Sequence, residues 1–427
     1  MAFGSLAVLA VALPTSGQGA PSSAGDQLEI VSKTIRQSPA EVREYWTPKR
    51  MRQAEPVELR HAGEAAPAAP QVAEPRGEPS LVLPTGAGVP NTRSGILDGL
   101  VGAAGDAQAR DAVDTGPNNT GFPQRVHGKV FMTQGVTDFL CSGTVVRSPG
   151  HVLVWTAGHC VHGADIGQGF STNFMFVPGY RDGQQPFGEW TATALQTTSG
   201  WRNSADFRFD LGAATLARHG DGRGIQDEIG ARGIAFSQQR DQSYSAFGYP
   251  ELSPFNGERN FRCDSAYLGS DSFGSPAPMR IACNMTAGSS GGGWVAQSKF
   301  VVSTTSYGYS RDFDCPAGLF NECLYGSYQG TVAQNLYQQA RGKKRTCGGK
   351  EVTNLGGGSD DDFDGTSGRD SFKLRGGADT AEGGAGADRV CGGKGRDLLI
   401  GGPGKDVCNG GKGRDRARGC ETRRKIP

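Results

Sequence analysis

Val152-Leu153-Val154-Trp155-Thr156-Ala157-Gly158-His159-Cys160 decides how the middle of this 427-residue chain is read. An apolar β-type run ends there in a small-residue turn that carries a histidine beside a cysteine. Upstream lies Cys141-Ser142-Gly143-Thr144-Val145-Val146, and far downstream lies Gly288-Ser289-Ser290-Gly291-Gly292-Gly293. Further short runs, Val126 to Thr133 and Phe300 to Thr305 among them, alternate with Gly, Pro and Asn from about Phe122 to Ala340. Helical periodicity is nearly absent until Val332 to Ala340. Many short strands ending in one helix predict an antiparallel barrel or sandwich.

The three motifs, in this order, resemble the chymotrypsin-like serine proteases, specifically the secreted bacterial branch related to glutamyl endopeptidases. The resemblance covers roughly Phe122 to Ala340 and implies an all-β domain of two barrels that cleaves peptide bonds through an acyl-enzyme. A serine hydroxyl is a poor nucleophile unless an imidazole takes its proton and a buried carboxylate holds that imidazole in the right tautomer. Of the six histidines, His61 lies in an N-terminal stretch and His127, His151, His162 and His219 lack an accompanying motif, which leaves His159 as the base. The resemblance puts the acid at Asp210, in Asp210-Leu211-Gly212-Ala213-Ala214, with Asp206 the alternative. It puts the nucleophile at Ser290, with Ser289 the alternative. The N–H groups of Gly288 and Ser290 would then face the developing oxyanion. Ser306, Tyr307 and Gly308 would pair with an extended substrate, and Asn284 would sit at the floor of the specificity pocket. An uncharged Asn284 does not predict a preference for Arg or Lys. Glutamyl endopeptidases are expected to use a histidine beyond the nucleophile, and none follows His219 here. Ser289 stands where a trypsin-like activation switch needs Asp. Cys141 and Cys160 occupy the family's disulfide positions.

From Gly356 the chain sets in nines: GGGSDDDFD, GTSGRDSFK, LRGGADTAE, GGAGADRVC, GGKGRDLLI, GGPGKDVCN and GGKGRDRAR. The sixth position is always Asp: Asp361, Asp370, Asp379, Asp388, Asp397, Asp406 and Asp415. The eighth is Phe363, Phe372, Ala381, Val390, Leu399, Cys408 and Ala417, always apolar or cysteine. These nonapeptides resemble the RTX-type calcium-binding β-roll, a parallel roll in which the aspartates supply hard oxygen ligands for Ca²⁺ and the eighth residues form a thin core. Calcium is the expected cofactor, with none for catalysis.

Glycine fills 67 positions, well above the usual ~7%, as the repeat requires. Lys plus Arg (44) balance Asp plus Glu (43), which gives no general charge for a nucleic-acid partner. Ten cysteines without metal-ligand spacing predict disulfides and an oxidising, extracellular setting. Proximity suggests Cys263 with Cys283, Cys315 with Cys323, Cys347 with Cys391 and Cys408 with Cys420. Leu6 to Leu13 is too short for a membrane span and reads as a signal-peptide core. The domains expected are a signal peptide (1–20), a largely disordered pro-segment (21–116) with one amphipathic patch from Glu41 to Leu59, a protease domain (117–343) and the β-roll (344–427). Protein or peptide substrates are expected, and the basic C-terminus suggests anionic cell-wall or surface polymers as a further partner. The alternatives are a secreted, non-catalytic calcium-dependent binding protein on a protease fold and an esterase-type acyl hydrolase.

Overall fold

The computed structural model describes residues 28–57, 60–64, 79–84, 111–116, 120–220, 222–272, 274–311, 315, 323–343, 346–352, 354–355 and 360–426. The expected signal peptide and most of the stretch between 65 and 110 lie outside them. The N-terminal part contributes β1 (Ile30–Thr34), α1 (Pro39–Tyr45), α2 (Pro48–Gln53), β2 (Glu55–Pro56), β3 (Arg60–Glu64), β4 (Ser80–Val82) and β5 (Val113–Asp114).

Six strands follow: β6 (His127–Gln134), β7 (Thr137–Val145), β8 (Leu153–Thr156), β9 (Thr172–Pro178), β10 (Trp190–Thr198) and β11 (Gly212–Leu216). They pair in the order β10-β11-β8-β7-β6-β9, and β9 pairs again with β10, which closes the barrel. The β6–β7 hairpin shows why alternation matters. Val130, Met132, Cys141 and Val145 point into the barrel core. Phe131 and Leu140 point the other way and join Met175 and Val177 in an outward apolar face. Side chains alternate across a strand, so this face cannot be turned inward by any change of register that keeps the core. The N-terminal helices cover it instead: Val42, Trp46, Met51 and Ala54 are buried against it. Ser38 and Glu41 form a capping box that starts α1, and Thr47 caps α2. These helices lie within the stretch that reads in sequence as largely disordered; the amphipathic patch is the part that packs.

After short helices α3 (Ser199–Ser204) and α4 (Ile225–Ile229) comes β12 (Gly233–Phe236), which lies parallel beside the second barrel. That barrel is β13 (Ser243–Gly248), β14 (Phe261–Ser270), β15 (Met279–Ala282), β16 (Gly293–Ala296), β17 (Phe300–Arg311) and β18 (Cys323–Gly326). The order β16-β13-β14-β15-β18-β17 closes through β16–β17. Helix α5 (Thr331–Ala340) buries Ala333, Leu336, Tyr337 and Ala340 between the two barrels with Trp155, Leu211 and Phe236. The two-barrel all-β fold read from the sequence is therefore the fold observed.

A hairpin of β19 (Thr346–Cys347) and β20 (Lys350–Glu351) leads into a parallel β-solenoid of about 4 turns. Its strands are β21 (Asn354–Leu355), β22 (Asp362–Asp364), β23 (Ser371–Gly376), β24 (Thr380–Glu382), β25 (Arg389–Gly395), β26 (Leu398–Ile400), β27 (Val407–Gly413), β28 (Arg416–Arg418) and β29 (Thr422–Arg424). Odd and even strands form two facing sheets, so two nonapeptides make one turn. Phe372, Val390 and Cys408 stack in one sheet, and Phe363, Ala381, Leu399 and Ala417 stack in the other. Together they form the thin core expected of the eighth positions. All five disulfides are formed as the sequence suggested: Cys141–Cys160, Cys263–Cys283, Cys315–Cys323, Cys347–Cys391 and Cys408–Cys420.

Such a core has few side chains to share a loss. Leu399→Ala is expected to destabilise the solenoid by about 2–4 kcal/mol, read as an earlier solenoid transition in urea with calcium present, while the barrel transition stays in place. An unshifted solenoid transition would contradict this packing.

Candidate active site and calcium sites

His159 leaves β8 in a tight turn, Asp210 precedes β11, and Ser290 lies in the loop between β15 and β16, so the site forms where the two barrels meet. Asp210 is wholly buried and accepts three hydrogen bonds. Its Oδ1 takes the His159 backbone N–H at 2.8 Å, and its Oδ2 takes His159 Nδ1 at 2.8 Å and Ser306 Oγ at 2.5 Å. With Nδ1 donating to the carboxylate, Nε2 of the same ring is left as the proton acceptor; it is buried and has no hydrogen-bond partner. Thr197 Oγ1 donates to Leu211 O at 2.8 Å and Thr198 Oγ1 to Phe209 O at 2.7 Å, which fixes the loop that carries Asp210. Gln134 Nε2 donates to His159 O at 2.7 Å and holds the other side of the turn.

The serine loop is tied to the first barrel by one residue. Ser142 N–H donates to Ser290 O at 2.7 Å, Ser142 Oγ donates to Gly288 O at 2.8 Å, and Tyr249 N–H donates to Ser142 Oγ at 2.9 Å. Gly291 has φ +79°, and a Cβ there would collide with Thr156 Oγ1, so the turn after Ser290 needs glycine on both counts. A cleft beside Ser290 is lined by Val57, Met285, Ala287, Tyr307, Tyr309 and Leu324 among others, none of them charged. Tyr307 and Tyr309 both donate to Asp271 Oδ2, at 2.6 and 2.7 Å, and so form a fixed wall. Burial, reinforced by the Asp271 charge, pushes the Tyr307 hydroxyl well above its ordinary pKa and keeps it a donor.

Ser290, Ser306 and Tyr307 line this cleft, and the Ser306 hydroxyl joins it to the buried His159–Asp210 pair. Asp206 does not join them; its carboxylate binds Arg208, with the closest contact at 2.6 Å. Ser289 Oγ donates to Thr286 O at 2.7 Å. Asn284 is not part of the cleft lining. Its Oδ1 accepts from Ala112 N–H at 2.8 Å and its Nδ2 donates to Asp111 at 3.2 Å, so both ends of the amide are held by the N-terminal part of the chain, and Met285 lines the cleft instead. The sequence reading missed the hydroxyl of Ser306 as a partner of Asp210; the Ser-aromatic-Gly pattern pointed only to its backbone. It also missed Val57, whose carbonyl accepts from Ser290 Oγ at 3.5 Å, and no local motif marks that residue.

In the solenoid Asp379, Asp388, Asp397, Asp406 and Asp415 use one oxygen in the same way. Asp361, Asp370, Asp379, Asp388 and Asp397 donate their N–H groups to Oδ1 of the aspartate 18 residues on, at 2.7 to 3.1 Å. The ladder ends on Glu421, which accepts from Asp406 N–H at 2.6 Å. The other oxygen, Oδ2 of Asp379, Asp388, Asp397, Asp406 and Asp415, is buried without a partner. A row of buried, unpaired carboxylate oxygens fits a hard divalent cation. The glycines fit too: a Cβ on Gly392 would press into Asp397 Oδ2. Asp370 differs, because Thr366 N–H and Oγ1 both donate to its Oδ2 at 2.8 Å.

Residues 355–390 and 382–417 match the RTX calcium-binding nonapeptide repeat, and the repeats bind Ca²⁺. Among solved structures, the chain is similar to the protease Anisep from Arthrobacter nicotinovorans, at 36% identity over 51% of this chain and 95% of that one, with a TM-score of 0.46. It is also similar to a thermostable serine protease, AL20, from an extremophilic microorganism, at 38% identity over 51% of this chain and 98% of that one, again with a TM-score of 0.46. An extracellular metalloprotease of Bacillus subtilis is 31% identical over 101 residues, 23% of this chain; the chain spans only 31% of that relative's length.

Burial, with the charges of Asp397 and Asp361, raises the Asp379 carboxyl to about 6 against the pull of a backbone hydrogen bond, and burial likewise raises Asp388 and Asp397. For a carboxyl raised in the fold, the stabilisation is full below about 4 and lost as pH rises through about 6. Calcium requires the ionised form. The chelated chain should therefore have a solenoid that melts lower at pH 7.5 than at pH 5, and calcium should stabilise it more at pH 7.5. Circular dichroism melts would show this; an unchanged melting temperature of the chelated solenoid across that range would contradict it.

Proposed function

Over about half its length the chain belongs to the chymotrypsin-like serine protease family of the two bacterial proteases it matches at 36–38% identity, and we propose that it is a secreted serine endopeptidase carrying calcium-binding repeats. The observation that carries the reading is the buried His159–Asp210 pair with an unpartnered Nε2, joined through Ser306 to the cleft that Ser290 lines.

Ser290 attacks the scissile carbonyl, His159 takes its proton and later returns it to the leaving amine, and Asp210 holds the ring and stabilises its charged form. Ser306 positions Asp210 by donating to the oxygen that faces the imidazole. The Gly288 and Ser290 N–H groups stabilise the oxyanion. An uncharged cleft lined by Met285, Ala287, Tyr307 and Leu324 favours a neutral, apolar side chain before the scissile bond. Five disulfides and calcium-binding repeats agree with an extracellular setting, where both are supported. No helix among the described residues is long and apolar enough to cross a membrane. The basic C-terminal turns, from Arg389 to Lys425, would offer a surface to anionic cell-wall polymers.

Digestion of a mixed peptide library by the processed protein should give cuts after neutral residues. Ser290→Ala should abolish them, and Asp210→Asn should lower kcat by roughly 10³–10⁴-fold with KM little changed. Hydrolysis of esters alone would point to an acyl hydrolase, and undiminished proteolysis by Ser290→Ala would remove the assigned nucleophile.

A further inference from the structure

Where β17 passes the candidate cleft, its residues turn to two buried carboxylates. Ser306 donates to Asp210 Oδ2 at 2.5 Å, while the hydroxyls of Tyr307 and Tyr309 donate to Asp271 Oδ2 at 2.6 and 2.7 Å. Asp271 follows β14, is 4% exposed and does not itself line the cleft. Ser272 N–H donates to its other oxygen at 2.6 Å, and its own N–H donates to Pro278 O at 2.9 Å. The carboxylate is the acceptor in every hydrogen bond it makes, as the ionised form must be, and each donor to it is neutral. Asp210 has the imidazole of His159 beside it; Asp271 forms no ion pair with any described residue.

We infer that Asp271 is a specificity-determining residue that bars acidic side chains from the cleft. Its charge repels them, and its two tyrosine bonds withdraw phenolic donors that could otherwise hold them. The inference rests on Ser290 being the nucleophile proposed above, and it turns the neutral preference proposed there into a discrimination assigned to one residue. Asp271 acts through Tyr307 and Tyr309, so its role is electrostatic and positional.

The wall between Asp271 and the cleft is dry and rigid. Tyr325 stacks on Tyr307 with ring centroids 5.0 Å apart and planes 12° apart, and Phe207 packs against the same ring at 4.6 Å. Tyr307, Tyr309, Tyr325 and the Cys315–Cys323 disulfide form one buried cluster. A charge behind such a wall is weakly screened, because salt and water do not reach the space between it and the cleft. On the cleft side Met285, Ala287, Leu324 and the other lining residues carry no charge that would offset it. A substrate carboxylate entering there would lose its water, meet a like charge and find no cation. A neutral side chain of the same shape would meet none of these costs.

Peptide pairs that differ only by Gln or Glu, placed at either of the two residues before the cut, compare equal shapes with different charge. Wild type, as secreted and with calcium present, should cut the Gln member with a kcat/KM at least tenfold above its Glu partner at the position that enters the cleft. Asp271→Asn should bring that ratio to within threefold, chiefly through a lower KM for the Glu member. Loss of packing alone would slow both members together and leave the ratio in place. If Asp271→Asn is not secreted folded, Asp271→Ala combined with Tyr307→Phe and Tyr309→Phe removes the charge together with its phenol donors, and should narrow the ratio likewise. Labelling of Ser290 by a fluorophosphonate counts the competent sites in each preparation, so every rate is expressed per active serine. An unchanged ratio in the folded variants, or wild type cutting the Glu members as fast as the Gln members, would overturn the role of Asp271 while leaving Ser290 as the nucleophile. Failure of wild type to label at Ser290 would overturn the reading beneath it.

Discussion

A carboxylate buried without water is tolerated only when its oxygens are fully engaged, and Asp210 is the point on which this molecule turns. Its three donors come from two separate parts of the chain: the backbone and ring of His159 in the turn after β8, and Ser306 on β17, 96 residues beyond Asp210. Loss of any one would leave a buried charge short of a partner, so the first barrel, the loop before β11 and the edge of the second barrel are held in one arrangement. Ser142 completes the junction, because its backbone and hydroxyl fasten both ends of the Gly288–Ser290 turn to β7. Alignment of the proposed catalytic residues and the docking of two barrels would thus be met by the same few polar groups. This explains why so many of them are buried and so few are spare.

The solenoid reaches the opposite outcome from the same physics. Each of its later aspartates is also buried, but only Oδ1 finds a backbone donor, and Oδ2 of Asp379, Asp388, Asp397, Asp406 and Asp415 is left without one. Mutual repulsion along the file adds to the burden, which is why these carboxyls are raised and not lowered. The core formed by Ala381, Val390, Leu399 and Cys408 is one side chain deep on each sheet and cannot offset several uncompensated charges alone. A divalent cation satisfies the oxygens and neutralises the file in one step. At Asp370 the chain uses Thr366 for the same oxygen, so that turn is stapled by protein donors.

How much of this was legible in the sequence follows the distance over which each interaction is encoded. In the solenoid a residue meets its counterpart 18 positions on, so the columns of Asp and of apolar residues in the sequence are already the rows of the structure. The two barrels were readable from their motifs and short strands, as was Cys141 with Cys160. The partners that hold the Asn284 side chain, the Ala112 N–H and the Asp111 carboxylate, lie more than 170 positions earlier and could not be read locally. Val57 meets Ser290 across 233 positions through a backbone carbonyl, and a carbonyl leaves no mark in the sequence. The packing of α1 and α2 was visible only as an amphipathic patch in a stretch whose composition otherwise argued for disorder.

That patch also has a packing reason to be ordered. The outer face of β6, β7 and β9 is apolar because Phe131, Leu140, Met175 and Val177 alternate with residues that the barrel core requires. Some cover for that face is required, and helices α1 and α2 of the same chain supply it. Each contact that holds this cover is modest: an exposed ion pair at Asp138, a few hydrogen bonds to Asn173 and four buried apolar side chains. Their sum keeps from water an apolar face that the alternation of the strands cannot turn inward.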